Sequence, residues 1–561
     1  MRRQATRDGV TVQAIAGTHA VLLGIDVAGL DQLDALGFAI RRLDHVEEEQ
    51  YWLRGMKVFR SVVPDPAPGE NYSLRYHPVQ GFQWGDYSAK PGRKYTYRVA
   101  VVHGPASAPT LGARVDVTVT TEREDDGRHG VWFNRGVAGS QAWNAKFGVP
   151  SDELKDPNSS AWAWLSRGLG EAFLSTVATA VDGTWSLHGA FYEFTWSPAL
   201  LAFGLAASRG ADVQLVVHGR DKDPDGADAD DDVTAARNRA AAEAAGLNPL
   251  VTWRVAPNKG ALQHNKFLVL SHNGTPVAVW TGSTNLTQGA IYGHSNVGHL
   301  IHDPAVAAAF LAYWQQLQAA TTTAQLRTWA EANNPLPAPL PVPVFSPRRT
   351  GSDLLEVYAD LFDGATSSVH LTGAFGLNAV FRARLGIPRD YPRTVLLDKQ
   401  PPYKTRIPHD DPNVRIVWGA HLTSQLEQWA TERLTGFNGH VPYIHLKTIL
   451  IDPLTDRPAL LTGSANYSEA STEDNEENTL VLQTGGTGVT SAKAMKRISD
   501  IYLTEYHRLF MHHVFRAFGQ PPMTGVVSGG DRGLKEDNTW IAPHLAGWRA
   551  RQRHLFAGTS A

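Results

Sequence analysis

Two short segments of this 561-residue chain carry imidazole, ammonium and amide groups at one repeated spacing. The first, HNKFLVLSHNGTPVAVWTGSTNLTQGA, supplies His264, Lys266, Ser283 and Asn285. The second, IHLKTILIDPLTDRPALLTGSANYSEAS, supplies His445, Lys447, Ser464 and Asn466. Each runs 21 residues from His to Asn, and the two lie 181 positions apart. A single His-x-Lys means little in a chain with 22 histidines, but two with the same downstream Gly-Ser-x-Asn are specific. Two imidazoles supply a nucleophile or base and an acid near neutral pH. Two lysines neutralise a phosphate without a metal ion, and Asn and Ser add oriented hydrogen bonds. Displacement at phosphorus matches this kit best. The rival reading is a scaffold that grips phosphate groups without reacting. Paired imidazoles argue against it, because binding alone does not need them.

These groups need two strands each. FLVL and TILI read as buried strands, and His and Lys, two residues apart at the strand start, share a face. The run after each ends where small residues let the backbone approach. The surrounding α/β pattern also repeats. SLHGAFYEF (Ser186 to Phe194) matches HLTGAFGLN (His370 to Asn378), and DVQLVVHGRDK loosely matches RTVLLDKQ. VWFNRG and VFSPRR precede the two blocks in the same way. The expected fold is α/β, with duplicated halves about a pseudo-two-fold axis behind an N-terminal β-sandwich. The expected divisions are residues 1–120 for the sandwich, 121–332 and 345–520 for the halves, 333–344 for a Pro-rich linker, and 521–561 for a C-terminal extension. Thr121 to Gly130, TEREDDGRHG, reads as a charged linker.

The motif H-x-K-x4-D followed by G-S-x-N resembles the signature of the phospholipase D superfamily. The second half carries it as His445, Lys447, Asp452, Ser464 and Asn466, with the later N-x-E as Asn475 and Glu477. The first half departs from it. Ser271 replaces the Asp, and in NVG (Asn296 to Gly298) Gly298 is expected at the place of the Glu. The resemblance covers roughly residues 130–520. It implies a metal-independent phosphodiesterase with a covalent phosphohistidine intermediate. His264 is expected to attack and His445 to serve as acid and base. Lys266, Lys447, Asn285 and Asn466 would hold the phosphate, and Glu477 would orient an imidazole. Ser283, Ser464, Asp452 and Ser271 are expected in support. PGRKYTYRVAVV resembles the late strand of a fibronectin type III domain, where Tyr95 or Tyr97 would cap the corner with a backbone hydrogen bond.

A net charge of −3 argues against a generally basic nucleic-acid coat, though not against a local basic cleft. The absence of cysteine excludes disulfides, thiolate metal sites and a cysteine nucleophile. No apolar stretch approaches the ~20 residues of a membrane helix. No apolar segment follows the N-terminal arginines, so a cytoplasmic protein, or one exported without a signal, is expected. No cofactor and no metal are expected. The expected partner is a phosphodiester, with phospholipid slightly favoured over nucleic acid, and the protein is expected to be a monomer. Peripheral membrane contact through the basic end GWRARQRHLF is weaker than packing of that segment on the protein. DKDPDGADADDD (Asp221 to Asp232) resembles an EF-hand loop, but Pro224 and Asp228 break the pattern, and a solvated acidic loop is favoured. His188, His294 and His299 are expected to be structural, as are Arg135, Arg348 and Arg349.

Overall fold

The computed structural model describes residues 1–66, 70–136, 146–147, 156, 159–220, 229–256, 261–349, 354–374, 376–399, 407–408, 410–418, 444–517 and 533–560. The acidic segment 221–228 lies outside the described residues. The architecture is mixed α/β with a β-rich N-terminal region.

That region holds β1 (Arg2–Arg7), β2 (Val10–Ala16), β3 (Val21–Val27), β4 (Gly37–Asp44), β5 (Gln50–Trp52), β6 (Arg54–Gly55), β7 (Tyr72–Ser73), β8 (Gln83–Asp86), β9 (Lys94–His103) and β10 (Thr110–Thr120). Two four-stranded antiparallel sheets, β1-β2-β3-β8 and β10-β9-β4-β5, contribute to one core. Alternation along β9 buries Tyr95, Tyr97, Val99 and Val101. The Tyr95 hydroxyl accepts a hydrogen bond from Lys90 N at 2.9 Å, whereas Tyr97 donates to Asp86.

The charged stretch 121–130 is not a loose linker. Its acids are held by groups from three parts of the chain. Glu122 binds the Met1 amino group, Glu124 binds His19, and Asp126 lies near Arg497. Arg497 also donates to the carbonyl oxygens of Arg123, Glu124 and His129. Charge runs read as solvated when their partners are distant in sequence, and here Arg497 lies 375 residues from Glu122 (497 − 122).

Beyond it come β11 (His129–Phe133), β12 (Trp185–Phe191), β13 (Asp212–His218), β14 (Val251–Arg254), β15 (Lys266–His272), β16 (Thr275–Gly282) and β17 (Val297–Ile301). They are followed by β18 (Val344–Ser346), β19 (Val369–Gly373), β20 (Arg393–Leu397), β21 (Val414–Trp418), β22 (Thr448–Ile451), β23 (Ala459–Gly463) and β24 (Glu477–Gln483). The first seven form a sheet in the order β11-β17-β16-β15-β12-β13-β14. The second seven repeat that order, strand for strand, as β18-β24-β23-β22-β19-β20-β21. The register differs from the sequence match by two residues. His188 faces Val269 as His370 faces Leu450, so His188 corresponds to His370, and Gly189 does not correspond to Gly373. A two-residue slip keeps every side chain on its face, so the apolar pattern does not detect it.

One apolar core runs through both sheets. It joins Val269, Val279, Leu450 and Leu460 to the helix Pro304–Gln318, through Phe310 and Tyr313, and to the helix Ala492–Ala517, through Ile498 and Tyr502. The basic C-terminal helix Gly547–Ala557 packs against β3. Arg553 binds Asp26, and the carbonyl oxygens of Phe556 and Ala557 accept from Gln13 and Gln4. Among the described residues no helix is long and apolar enough to cross a membrane.

Candidate active site

Lys266 opens β15 with His264 two residues before it, and His445 and Lys447 stand just before β22. Both strands are central in their sheets. Each neighbouring strand, β16 or β23, ends in a glycine with positive φ, 148° at Gly282 and 155° at Gly463. A side chain at Gly282 would collide with the Val297 carbonyl, and one at Gly463 with that of Asn478. The close approach lets Ser283 N donate to Val297 O and Ser464 N to Asn478 O, at 3.1 and 3.0 Å.

Those two bonds correct the alignment of the later motif. Val297 corresponds to Asn478, so the counterpart of Glu477 is Asn296, not Gly298. Gly298 sits inside β17, where a Cβ would strike Trp280.

The two seven-stranded sheets then exchange orienting groups. His264 N donates to Glu476 O at 2.9 Å, and Gln263 pairs with Glu476 in an isolated bridge. The reciprocal bridge joins Ser295 to Ile444, and His445 N donates to Ser295 Oγ. These contacts set the imidazoles. His264 Nδ1 lies 2.9 Å from Glu477 Oε2. His445 Nδ1 lies 2.8 Å from Asn296 Oδ1. The Asn296 amide orientation is fixed, because its Nδ2 donates to Ala290 O and its Oδ1 accepts from Ser283 Oγ. Nδ1 therefore carries the proton in both rings, and each Nε2 holds the lone pair.

The lysines close the set. Lys266 Nζ donates to His264 O at 2.6 Å and lies 5.2 Å from the centre of the Tyr192 ring. Lys447 Nζ donates to His445 O and to His445 Nε2, both at 2.9 Å. All four side chains are buried. Burial is the main cause that draws His264 down to about 4 and Lys266 to about 7, with Glu477 opposing both shifts. Burial and the two lysines hold His445 well below its ordinary value, and burial with Lys266 does the same for Lys447. Burial alone would raise Glu477, but His264 and Lys266 more than offset it and keep it ionised.

The remaining expected residues separate into two groups. Asn285 Nδ2 donates to Glu193 Oε2, and Asn285 Oδ1 and Asn466 Oδ1 have no hydrogen-bond partner among the described residues. Ser283 and Ser464 secure the turns. Ser271 and Asp452 are remote, some 20 Å along their strands from the histidines. Asp452 accepts from the backbone of Thr366, Ser367 and Ser368 and anchors the entry to β19. Ser271 Oγ is buried and has no hydrogen-bond partner among the described residues. His294 is drawn into the site, its ring 6.2 Å from that of His445. The His188 ring lies tilted against Trp314, and His299 bridges His129 and Tyr502. Arg135 lies over Trp164, Arg348 holds Asn334, and Arg349 binds Glu331. Among the described residues no three His, Asp or Glu side chains are set to hold a metal ion.

Sequence reasoning missed several groups. Asn296 was accessible, since 181 positions separate it from Glu477 as they separate the two histidines. Tyr192 and Glu193 carry no motif. The buried Arg254–Glu476 pair and the Thr281–Asn478–Asn265 chain join the halves beside the site.

Residues 184–318 match the family model described as "Cardiolipin synthase, PLD-like domain". This stretch carries a PLD-like domain. It contains His264, Lys266, Asn285 and Asn296, so the match falls on the half whose motif departs from the signature. No curated protein matches the chain. Among solved structures, phosphatidylserine synthase from Haemophilus influenzae is 11% identical over 61% of this chain and 84% of its own, with a TM-score of 0.41. The phospholipase D family member Nuc from Salmonella typhimurium is 27% identical over 26% of this chain and 85% of its own, with a TM-score of 0.20. Polyphosphate kinase from Porphyromonas gingivalis is 10% identical over 59% of this chain, with a TM-score of 0.35, and the chain spans half of its length.

Proposed function

We propose that the protein is a phosphoric diester hydrolase of phospholipase D type, built from two duplicated halves that share one reaction centre. The observation that carries this reading is the exchange of orienting groups, His264 on Glu477 and His445 on Asn296. Neither half is complete without the other.

The asymmetry of the orienting groups supports a division of roles. Attack by His264 Nε2 on phosphorus leaves a positively charged imidazole ring, and the Glu477 carboxylate stabilises that charge through Nδ1–H. His445 faces a neutral amide, which fixes its ring without holding a proton on it. It therefore suits delivery of a proton to the leaving alkoxide and its return from water. In the first step the His264–phosphorus bond forms and the alcohol leaves with a proton from His445. In the second, water attacks phosphorus, gives its proton to His445 and frees His264. Lys266, Lys447, Asn285 and Asn466 hold the phosphoryl oxygens. Proton transfer to His445 accompanies binding of the anion, which reverses part of the depression imposed by the lysines.

Within this reading residues 1–120 form a fibronectin type III-like sandwich, supported by the Tyr95 hydroxyl on Lys90 N. The halves comprise 121–332 and 345–520, the Pro-rich 333–344 connects them, and 521–561 is an extension. Phospholipid is the first substrate to assay, with nucleic acid beside it. The test is incubation with labelled phospholipid vesicles and with DNA or RNA in EDTA, followed by acid-labile, base-stable labelling of the protein. Turnover with phosphohistidine supports the proposal. Tight binding of phosphate esters with neither turnover nor label in any substrate would make the protein a scaffold.

A further inference from the structure

Glu193 is out of place in a pocket that binds anions. It follows β12 in a loop held on three sides. Leu286 N donates to Glu193 O, Tyr192 N donates to Asn265 O, and Asn238 Oδ1 accepts from Phe194 N. The backbone that carries Glu193 is thus tied to the His264 segment, to the turn after β16 and to the helix Ala229–Ala244. Its Oε2 takes the Asn285 amide, a donor the proposed reaction needs for a phosphoryl oxygen. The charged groups that act on it are Lys266, Arg237 and Lys447. Burial nevertheless raises its proton affinity, with Lys266 and Asn285 opposing.

The charges can be counted. With an anion bound, which opposes the depression that burial imposes on both ammonium groups, Lys266 and Lys447 bring two positive charges, and Glu477 removes one. A single positive charge remains for a diester, which carries one negative charge. Glu193 removes that surplus when ionised. A diester can still enter by displacing the carboxylate from Asn285 or by its protonation. A phosphomonoester with two negative charges meets a second repulsion at short range. Hydrolysis of a diester releases such a monoester together with the alcohol.

The geometry points to Glu193 as the residue that makes this pocket discriminate by phosphate charge, admitting the singly charged diester and expelling the doubly charged monoester. The inference rests on the phosphodiesterase reading and adds to it a selectivity for substrate over product. Glu193 is a specificity determinant and takes no covalent part.

The test compares wild type with Glu193→Gln and Glu193→Asp, using bis(p-nitrophenyl) phosphate as substrate and inorganic phosphate as competitor. The ratio of the phosphate Ki to the diester KM is read at about pH 8, where phosphate is mainly a dianion. In Glu193→Gln the ratio falls about tenfold, because the amide keeps the Asn285 contact and removes the charge. At about pH 5.5 the ratio changes less than about twofold, because phosphate is then a monoanion and meets the same single repulsion as the diester. Glu193→Asp keeps the charge and retains most of the discrimination. A ratio in Glu193→Gln unchanged at the higher pH, with diester turnover intact, overturns the inference. Failure of the functional reading looks different: wild type turns over no diester. Calorimetric titration of inorganic phosphate then reads the charge effect by itself, and equal affinity in wild type and Glu193→Gln at the higher pH also overturns the inference.

Discussion

Replacing Glu477 with Gln separates charge from geometry at the reacting centre. Glutamine keeps a carbonyl oxygen for the Nδ1–H of His264, as Asn296 already provides one for His445. The ring stays in place while the negative charge goes. At 2.9 Å, and with an effective dielectric of ~20, a carboxylate attracts an imidazolium by about 6 kcal/mol before the hydrogen bond to the amide is credited back. A charge-assisted hydrogen bond is worth ~1.5–3 kcal/mol, against ~1 for a neutral one. Roughly 3 kcal/mol of stabilisation of the phosphorylated imidazole should be lost, which is about two powers of ten in rate. The assay is single-turnover hydrolysis of bis(p-nitrophenyl) phosphate, following nitrophenolate release and labelled protein together. Both should slow by about a hundredfold, with KM nearly unchanged. A change of less than about threefold would refute the assignment of His264 as the group that gains charge, and the reasoning from asymmetry with it.

Asn296→Ala should lower kcat by tenfold or more in the folded protein, because the Nδ1–H of His445 loses the amide oxygen that orients the ring. Gly298→Ala should instead lower the melting temperature and spare kcat in the folded fraction, and the reverse pattern would restore Gly298 as the motif position. Glu476→Gln strands the buried Arg254 guanidinium between the halves and should destabilise by about 3–5 kcal/mol in urea titration; a loss below about 1 kcal/mol would show the pair to be dispensable. Acid should unfold the protein steeply. Burial holds His218, His299 and His370 down at about 3, and His264 and His507 at about 4, so the unfolded chain binds protons first. The stability from these five neutral rings is complete above about pH 6.5 and is lost as pH falls from there towards 4, at up to ~1.4 kcal/mol per unit for each ring. Urea midpoints that stay level across that window would contradict it.

Much of the site was legible because its signals are local. His264, Lys266, His445 and Lys447 are each two residues apart on a strand, and period two alone puts each pair on one face. The glycines before Ser283 and Ser464 mark a close backbone approach that a reader of sequence can infer. The orienting amide at Asn296 was hidden by a count of the motif from its asparagine, when the backbone bonds count from the strand end. Glu193 was not legible, since nothing in GAFYEF distinguishes a carboxyl aimed at a pocket from one in water. The charged 121–130 segment misled for a related reason. Its partners, Met1, His19 and Arg497, are remote in sequence, and a charge run shows only its own sign.

The account stands on one arrangement, in which His264 and His445, contributed by different sheets, close on a single phosphorus. A crystal structure with tungstate tests it most directly. It should show one oxyanion between the two Nε2 atoms, within hydrogen-bond reach of both and of Lys266 and Lys447. Two tungstates, each held by one half alone, or an oxyanion that touches only one of the imidazoles, would contradict it.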